Sequence, residues 1–386
     1  MEILFCTAVG LIIYSYFIYP LILIFISTIK QIFTHKRKTI EILMENERLP
    51  DVTVIIAAFN EDSCIKERVE NLLSLDYPQD KLTIRIGSDG STDNTAQILK
   101  SIKAENYHAH IFEVNRGKMS VLNDLVALST DEILVMSDAN THFKPDAINA
   151  LVKHFQNSSV GAVCGELNLI DTDSGTNKDS IYWRYEQVLK FHEAKLGALL
   201  GANGAIYAIR NSLFTALPAN TIVDDFQIAM NVSRQKYDVI YDSSAIAIEE
   251  VAPNLAEEEG RRIRIGLGNY QAFFKMPWAL NPLLGWRCFA YVSHKVLRWF
   301  VPHFMVIALV SNLFLLTIPA YQLSLMGQVV FYTLAFWGIK KQKQDQQINT
   351  FISLISFFVS MNVALMRGFI RYFNSNVQGS WQRTSR

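Results

Sequence analysis

The sequence predicts an α/β domain with a mostly parallel sheet, flanked by transmembrane helices near both ends of the chain. Half of the 386 residues are apolar, and the mean hydropathy is +0.15. This composition lies between that of a soluble protein and that of a membrane bundle, so a soluble part joined to membrane segments is expected. Residues 51–250 alternate β-branched runs with helical stretches, which is the pattern of a parallel sheet covered by helices on both faces. Long uncharged runs lie on either side.

The N-terminal run predicts the first transmembrane helix. Ile3 to Ile29 contains no charged residue, and a helix needs about 20 apolar residues to cross the hydrocarbon core. A signal peptide is the alternative, but Glu2 and the length of the run disfavour it. The basic residues from Lys30 onward place the N-terminus outside and the next region in the cytoplasm. We expect a helix over residues 1–30, a cytoplasmic linker over 31–50 and a multi-pass protein of the cell (inner or plasma) membrane.

A segment rich in tryptophan and basic residues, 261–298, follows the predicted cytoplasmic domain of residues 51–260. This composition favours amphipathic helices at the membrane surface, with a soluble amphipathic helix as the alternative. The next region, 299–370, is expected to hold two to three membrane spans, and residues 371–386 form a tail.

Two of these spans are predicted on either side of Pro319, over Phe300–Ile318 and Gln322–Ile339. Trp299–Ile339 contains no charged residue. This run is too long for one crossing, since a helix rises about 1.5 Å per residue. A third run, Ile348–Met366, either crosses again or is re-entrant or surface-lying. A third crossing would leave the arginines of the tail outside, against the positive-inside rule, so the sequence leaves the side of the tail open.

The charge balance and the cysteines exclude some classes of protein. Lys and Arg total 36, as do Asp and Glu, so the basic excess of a nucleic-acid-binding protein is missing and no nucleic-acid partner is expected. The four cysteines show neither a C-x-x-C pair nor metal-ligand spacing, which argues against a zinc site or a disulfide framework.

Polar residues stand where the predicted strands end. Val52–Phe59 and Leu82–Ser88 read as strands, and the fourth predicted strand covers Glu132–Asp138. Ligands of open α/β sheets bind beyond the carboxyl ends of the strands. The candidate residues at these ends are Asn60, Glu61, Asp89, Lys118, Asp138 and Asn140.

Each candidate has a functional and a structural explanation. Carboxylates at the strand ends suit a base and a ribose, but Asn60, Glu61 and Asp89 also suit turns and helix caps. Lys118 at a helix start suits a diphosphate, or it is a solvated surface lysine. Asp138 suits a hard cation that bridges phosphates, or it forms a strand-end turn.

The ordered set of motifs resembles the processive-type family 2 glycosyltransferases, which include cellulose, chitin and hyaluronan synthases. The motifs are AAFNE, GSDGSTD, GKMSVLN, SDAN, GANGAIYAIR, VDDFQIAM, RRIRIGLGNYQA and the final WQRTSR. The resemblance covers nearly the whole chain and implies a glycosyltransferase A fold, which is a Rossmann-like domain with both substrates at one edge of the sheet.

The resemblance also implies roles for individual residues. Asp225 is expected to be the catalytic base, with Asp224 beside it. Asn60, Glu61 and Asp89 would hold the nucleoside, and Lys118, Arg261 and Arg264 the diphosphate. Asp138 and Asn140 would hold a divalent metal ion, Mg or Mn.

Three positions depart from the family pattern. Asn140 replaces the second Asp of the D-x-D motif, and Asp224 replaces the Glu before the base. Arg261 and Ile265 stand where the long-chain synthases have Gln and Trp. The missing Trp, which would stack on the acceptor sugar, weakens the case for a processive polymerase.

The expected function is inverting transfer from a nucleotide sugar, expected to be a UDP-sugar, at the cytoplasmic membrane face. The acceptor would be a lipid-linked or growing polysaccharide in exopolysaccharide or cell-envelope glycan synthesis. One alternative is a polyprenyl-phosphate monosaccharide transferase, and another is an inactive, nucleotide-sugar-binding membrane scaffold. The expected partners are the donor, a glycan or lipid-linked acceptor and membrane lipids.

Overall fold

The computed structural model describes residues 1–35, 49–170, 181–250, 255–344 and 346–374. The chain divides into two compact units. One unit, which we call the catalytic unit, is built from Ile24–Val251. The other, the helical unit, combines Met1–Leu23 with Ala252–Asn376. The basic cluster 36–38 of the predicted linker and the WQRTSR tail lie outside the described residues.

The N-terminal run is helical, as predicted. Helix α1 (Glu2–Ile13) continues through a π-helical turn (Tyr14–Ile18) into α2 (Tyr19–His35). Glu2–Phe33 is long and apolar enough to cross a membrane. The apolar sequence thus produces one long helix because its backbone polar groups are satisfied within the helix.

The catalytic unit is an α/β domain, and its described part contains one eight-stranded sheet. The strand order is β3-β2-β1-β4-β7-β6-β8-β5. The strands are β1 (Val52–Ala58), β2 (Leu82–Asp89), β3 (Tyr107–Phe112), β4 (Ile133–Ser137), β5 (His142–Phe143), β6 (Val160–Ile170), β7 (Tyr207–Arg210) and β8 (Asp238–Glu250). The β1–β2, β2–β3, β1–β4 and β6–β8 pairs are parallel, whereas β7 is antiparallel to both neighbours. The mostly parallel sheet is confirmed.

Helices cover both faces of this sheet. They are α3 (Ile65–Leu73), α4 (Thr95–Ser101), α5 (Lys118–Ala127), α6 (Ala147–Val152), α7 (Ile181–Lys195) and α8 (Asp224–Arg234). Every residue of β1 is buried. Val54 and Ile56 belong to one core cluster, while Ile55 and Ala57 belong to another. Because side chains alternate along a strand, these clusters lie on opposite faces of the sheet.

The helical unit continues with α9 (Leu255–Lys275), α10 (Trp286–Ala290) and α11 (Leu297–Leu313), which a π-helical turn joins to α10. Helices α12 (Pro319–Gln342) and α13 (Thr350–Asn374) follow. Among the described residues, four helices are long and apolar enough to span a membrane: Glu2–Phe33, Trp286–Leu313, Pro319–Gln342 and Thr350–Asn374.

The start of the second candidate span differs from the sequence prediction. Residues 286–298 were expected at the membrane surface, but they form the first half of the continuous helix Trp286–Leu313. Arg298 explains the difference, because it is 6% exposed, lies over the ring of Tyr16 and donates to the carbonyl oxygen of Ser15. The neighbouring helix therefore supplies partners for this charge.

Candidate active site

The candidate site lies at the carboxyl ends of the parallel strands β1, β2 and β4. Ala58 pairs with Ser88 and Ile56 pairs with Ser137, so the three strands end near one another. The predicted residues Asn60, Asp89 and Asp138 follow or end these strands. This is the sheet edge where α/β proteins bind ligands.

The loop after β1 is tied to the loop after β2. Asn60 has a φ of +56°, and its Oδ1 accepts the backbone N–H of Thr92 at 2.8 Å. The N–H of Asn60 donates to Ser91 Oγ at 3.1 Å, and the N–H of Glu61 donates to Thr95 Oγ1 at 2.8 Å. These bonds fix the loops that would surround a nucleoside. A direct contact between Asn60 or Glu61 and the donor stays a prediction.

Asp89 has a structural role in this site. It is fully buried, and its two carboxylate oxygens accept the N–H groups of Arg116 and Gly117, each at 2.9 Å. Gly117 has a φ of +93°, a conformation that residues with a Cβ rarely adopt. Asp89 therefore shapes the turn that begins α5. A direct contact between Asp89 and a nucleoside stays a prediction.

Lys118, the first residue of α5, joins two of the predicted acidic residues. Its Nζ lies 2.8 Å from Asp138 Oδ1 and 3.3 Å from Asp224 Oδ2. Burial alone would lower the pKa of Lys118, but the Asp138 and Asp224 carboxylates outweigh burial and hold it well above its usual range. The lysine is thus a fixed cation between the end of β4 and the start of α8.

Asp225 lies beside this ion pair in the first turn of α8. In the described part of the chain, the hydrogen bond to its carboxylate comes from the N–H of Phe226, 2.7 Å from Oδ1. Burial, followed by the neighbouring Asp224 carboxylate, raises the pKa of Asp225 to about 6. A carboxylate with this pKa can accept a proton near neutral pH, which is what a general base requires.

Gly204 lies beside two of the acidic residues, Asp138 and Asp225. A Cβ built on Gly204 would lie 3.3 Å from Asp225 Oδ2 and 3.5 Å from Asp138 Oδ2. The glycine therefore leaves room where these two carboxylates face each other. The resemblance assigned the motif GANGAIYAIR to the acceptor side, and a side chain at Gly204 would occupy the space between the two carboxylates.

Asp138 and Asn140 lie in the turn that follows β4. Both are half-buried, whereas the intervening Ala139 and the following Thr141 are buried. Their carboxylate and amide oxygens are ligands that Mg²⁺ and Mn²⁺ accept. Within the described ranges, no group of three or more His, Cys, Asp or Glu side chains is arranged to hold a metal. The donor set fits a cation only if a substrate supplies further oxygens.

Arg68 was not predicted from the sequence as a site residue. It is fully buried on α3, and its guanidinium donates to Ser137 Oγ and to Asn71 Oδ1, both at 2.8 Å. Ser137 Oγ in turn donates to the carbonyl oxygen of Ala205 at 2.7 Å. Arg68 thus links the residue before Asp138 to the residue after Gly204.

A signal for Arg68 was present in the sequence. Ile65, Arg68, Val69 and Leu72 are the buried positions of α3, which is the spacing of one helix face. A charged residue on an apolar face must be paired or hydrogen-bonded. Burial lowers the pKa of Arg68 to about 9, although the Asp138 carboxylate opposes this effect. The guanidinium still carries its charge at neutral pH.

Arg261 and Arg264 lie in the helical unit. Both are exposed and stand one turn apart on α9, on the same face as the exposed Ile265. The opposite face of α9 packs closely on α13, because a Cβ on Gly266 would lie 3.2 Å from Leu365 Cα. The contact of these two arginines with a donor diphosphate stays a prediction.

The fold has the glycosyltransferase A architecture. Residues 53–213 match the model of glycosyl transferase family 2. Poly-beta-1,6-N-acetyl-D-glucosamine synthase of Staphylococcus epidermidis is 22% identical over 357 residues, covering 88% of this chain and 81% of the relative. The enzyme of that name from Staphylococcus aureus (strain COL) is 24% identical over 242 residues, covering 59% and 57%.

A solved structure supports the fold over nearly the full length. The mannosyltransferase PcManGT from Pyrobaculum calidifontis, in complex with GDP-Man and Mn²⁺, superposes with a TM-score of 0.70 at 20% sequence identity. The match covers 96% of this chain and 99% of that structure. The expected fold class and the expected enzyme class are confirmed.

Proposed function

We propose that this protein is an inverting glycosyltransferase that extends a lipid-linked or growing polysaccharide at the cytoplasmic face of the cell membrane, for exopolysaccharide or cell-envelope glycan synthesis. The donor is a nucleotide sugar, with a UDP-sugar expected. Support comes from the family 2 domain and from relatives that are named as synthases of poly-beta-1,6-N-acetyl-D-glucosamine. The four candidate membrane spans suit an acceptor that stays at the membrane.

One observation carries the proposal: Asp225 has a raised pKa and directs Oδ2 toward the space beside Gly204. In the proposed step, Asp225 takes the proton of the acceptor hydroxyl group. The freed electron pair of that oxygen forms the bond to the anomeric carbon of the donor. The bond from the anomeric carbon to the diphosphate oxygen breaks, and its electron pair leaves with the nucleoside diphosphate.

Other residues hold the leaving group. Lys118, already fixed between Asp138 and Asp224, supplies positive charge for the diphosphate. Arg261 and Arg264 add further charge from α9. Asp138 and Asn140 would hold a divalent cation, Mg or Mn, which when bound neutralises part of the diphosphate charge. The solved mannosyltransferase structure, which contains Mn²⁺, supports metal use.

Asp224 is assigned a supporting role. Its carboxylate is 7% exposed and pairs with Lys118. The Asp224 carboxylate thus already has a cation partner, 3.3 Å away at Lys118 Nζ. Asp224 nevertheless raises the pKa of Asp225 through its charge.

The test begins with turnover. Purified protein in nanodiscs is incubated with a panel of nucleotide sugars that includes UDP-N-acetylglucosamine and GDP-mannose, and the released diphosphate is measured. Release from one donor, together with a radiolabelled glycan product, supports the proposal. Transfer to polyprenyl phosphate alone would favour the monosaccharide transferase, and release from none of the donors would favour the inactive scaffold. Full turnover in excess chelator would contradict the metal assignment.

The pH profile tests the base. Turnover should fall as the pH drops through about 6, because protonated Asp225 cannot accept the acceptor proton. In Asp224→Asn, the fall should move to lower pH, since one of the charges that raise the pKa of Asp225 has been removed. An acid limb that keeps its position in Asp224→Asn would argue that another group titrates.

A further inference from the structure

The hydroxyl group of Tyr207 is buried next to the acidic cluster of Lys118, Asp138, Asp224 and Asp225. Tyr207 begins β7 and is 1% exposed. Among the described side chains and backbone groups, its hydroxyl oxygen has no hydrogen-bond partner. A buried hydroxyl group that makes no hydrogen bond loses its hydration without compensation, so its presence in a folded protein calls for an explanation.

Strand pairing and packing place Tyr207 beside this cluster. It pairs with Met136 on β4, two residues before Asp138. Its side chain belongs to the core cluster that α5 and α8 bury against the sheet. Lys118 and Asp224 are the first residues of these two helices. The ring therefore packs on the face of the sheet that is covered by the helices carrying the cluster.

Electrostatic effects keep the hydroxyl group protonated. Burial raises the pKa of Tyr207 well above its usual value, and the carboxylates of Asp224, Asp225 and Asp138 raise it further, with Asp224 the strongest of the three. A phenolate at this position is disfavoured, because it would be a buried anion among other anions. The group is therefore a hydrogen-bond donor that lies within electrostatic range of Asp224.

Asp224 depends on Lys118 for compensation of its charge. Its carboxylate is 7% exposed, and in the described part of the chain its ion-pair partner is Lys118 Nζ, 3.3 Å from Oδ2. Lys118 Nζ also lies 2.8 Å from Asp138 Oδ1. In the proposed function, Lys118 supplies charge to the donor diphosphate as well. Its three N–H donors would then be shared among three anionic groups, which weakens its hold on Asp224.

We propose that Tyr207 is a positioning residue whose hydroxyl group donates a hydrogen bond to the Asp224 carboxylate when Lys118 turns toward the donor diphosphate. This inference rests on the proposed role of Lys118 at the diphosphate. In the structure Lys118 still holds Asp224, which explains why the hydroxyl group can lack a partner. Tyr207 acts on donor binding only through Asp224 and Lys118.

Tyr207→Phe removes the hydroxyl group and keeps the ring. Its affinity for UDP and for GDP, each with Mn²⁺, is measured by calorimetry on the full-length protein in nanodiscs. The affinity for the nucleotide that the unsubstituted protein binds should fall about tenfold, because a hydrogen bond to a charged group is lost. The thermal midpoint Tm without nucleotide should stay the same or rise, since a buried hydroxyl group without a partner is removed.

Tyr107→Phe is the matched control. Tyr107 is also buried in the catalytic unit, at 7% exposure, but its hydroxyl group donates to the carbonyl oxygen of Leu99 at 3.1 Å. This variant should lower Tm and leave nucleotide affinity unchanged. If Tyr207→Phe behaves in the same way, it has lost only a structural contact, and the inference is wrong. Unchanged affinity with any Tm would mean that the N-terminus of α8 is sufficient to compensate Asp224, which also overturns the inference.

A double-mutant cycle with Lys118→Met tests the exchange of partners. Lys118→Met removes the ammonium group, so the Tyr207 hydroxyl group should become the partner of Asp224 even without nucleotide. Tyr207→Phe should therefore lower Tm in the Lys118→Met background, although it does not lower Tm in the unsubstituted protein. A change of the same sign in both backgrounds would overturn the inference. If Lys118→Met does not fold, the affinities of Tyr207→Phe and Tyr107→Phe still decide.

The calorimetry also separates this inference from the proposed function. If the unsubstituted protein binds no nucleoside diphosphate in a panel that includes UDP and GDP, the role of Lys118 at a diphosphate fails, and the inference fails with it. If it binds one of them and Tyr207→Phe binds the same nucleotide equally well, Tyr207 is not a positioning residue, and the proposed function stands.

Discussion

At one edge of the sheet, the carboxylates of two neighbouring regions differ in their hydrogen-bond partners. In the nucleoside-side loops, Asp89 accepts two backbone N–H groups and is fully buried. In the acidic cluster, Asp225 accepts one N–H group, and Asp224 and Asp138 lie nearby. The Asp89 carboxylate therefore holds a loop in place, whereas Asp225, the proposed base, accepts a single hydrogen bond within the described part of the chain. The hydrogen-bond partners, rather than the residue type, distinguish the loop-anchoring Asp89 from the proposed base Asp225.

The largest effect is expected for Asp225→Asn. This variant keeps the shape of the side chain but cannot accept a proton, so kcat should fall by about 10²- to 10⁴-fold. Nucleoside diphosphate affinity, measured by calorimetry, should survive, because the base faces the acceptor. Asp224→Asn is the matched control and should lose less turnover. Normal turnover in Asp225→Asn with an inactive Asp224→Asn would move the base by one residue.

Lys118→Ala should weaken nucleoside diphosphate binding by about 10- to 100-fold, the range for hydrogen bonds to charged groups. The loss should be larger at low salt, where screening is weaker. Lys66→Ala is the control, since the Lys66 side chain is 70% exposed and its Nζ lies 3.9 Å from Glu70 on the surface of α3. Equal affinities for the two variants in calorimetry would assign Lys118 a purely structural role.

Arg68→Met should lower kcat about tenfold or more, because small displacements of catalytic groups are costly. Arg210→Met is the control: Arg210 donates to the carbonyl oxygen of Val160 at 2.9 Å and pairs with Ile133 at the opposite end of β4. Both variants should lower the thermal midpoint Tm, but kcat should fall only for Arg68→Met. Arg68→Lys, which keeps the charge, should recover part of the activity.

A parallel fall of kcat in the Arg210 variant would show that general loss of stability explains the effect of Arg68. A kcat for Arg68→Met that equals that of the wild type would show that the guanidinium does not position the end of β4. The comparison of KM with kcat adds a second readout, since misplacement of Asp138 should affect both donor binding and turnover.

The smallest expected effects are changes in the thermal midpoint Tm, and they should have opposite signs in Asp89→Asn and Asp225→Asn. Asp89→Asn replaces an acceptor by an NH₂ group that faces a backbone N–H, so Tm should fall by several degrees for a loss of about 1–3 kcal/mol. Asp225→Asn should raise Tm at pH 7. The folded-state pKa of Asp225 is raised to about 6 from 3.8, so its ionisation destabilises the folded state as pH rises through that window.

This gain should disappear below about pH 4, where Asp225 is protonated in both the folded and the unfolded state. Thermal unfolding in detergent, followed at pH 4 and pH 7, measures both variants. A fall in Tm for Asp225→Asn at pH 7 would mean that this carboxylate stabilises the fold, and the contrast with Asp89 would no longer hold.

The elements of the fold followed from sequence pattern with few differences. The predicted strand Val52–Phe59 is β1 (Val52–Ala58), and the helix expected to start at Lys118 does so. Runs of β-branched residues and helix-start signals depend on neighbours in the chain, so they can be read locally. The start of the span at Trp286 was missed because Arg298 is satisfied by Ser15 and Tyr16, which are far away in the sequence.

In the candidate site too, the sequence predicted features that depend on local motifs and missed one that depends on distant contacts. The order of the motifs predicted four residues of the acidic cluster: Lys118, Asp138, Asp224 and Asp225. In the structure, Lys118 Nζ lies 3.3 Å from Asp224 Oδ2, although the two residues are far apart in sequence. Arg68 belongs to no quoted motif and was missed. Its role depends on Ser137 and Ala205, and therefore on the pairing of β4 with β7.

By itself, the sequence determined the class of the protein: an α/β transferase domain between apolar helices, with acidic and basic residues at the strand ends. Periodicity and uncharged runs, which are local properties, indicated the α/β domain and the apolar helices, and the resemblance of the ordered motifs to family 2 glycosyltransferases implied the transferase. Only the tertiary structure decided what each charge does. Asp89 became a loop anchor, Asp225 an acid with a raised pKa, and Arg68 a link between strands. The physical reason is that burial and hydrogen-bond partners set the energy of a charge, and distant segments supply both.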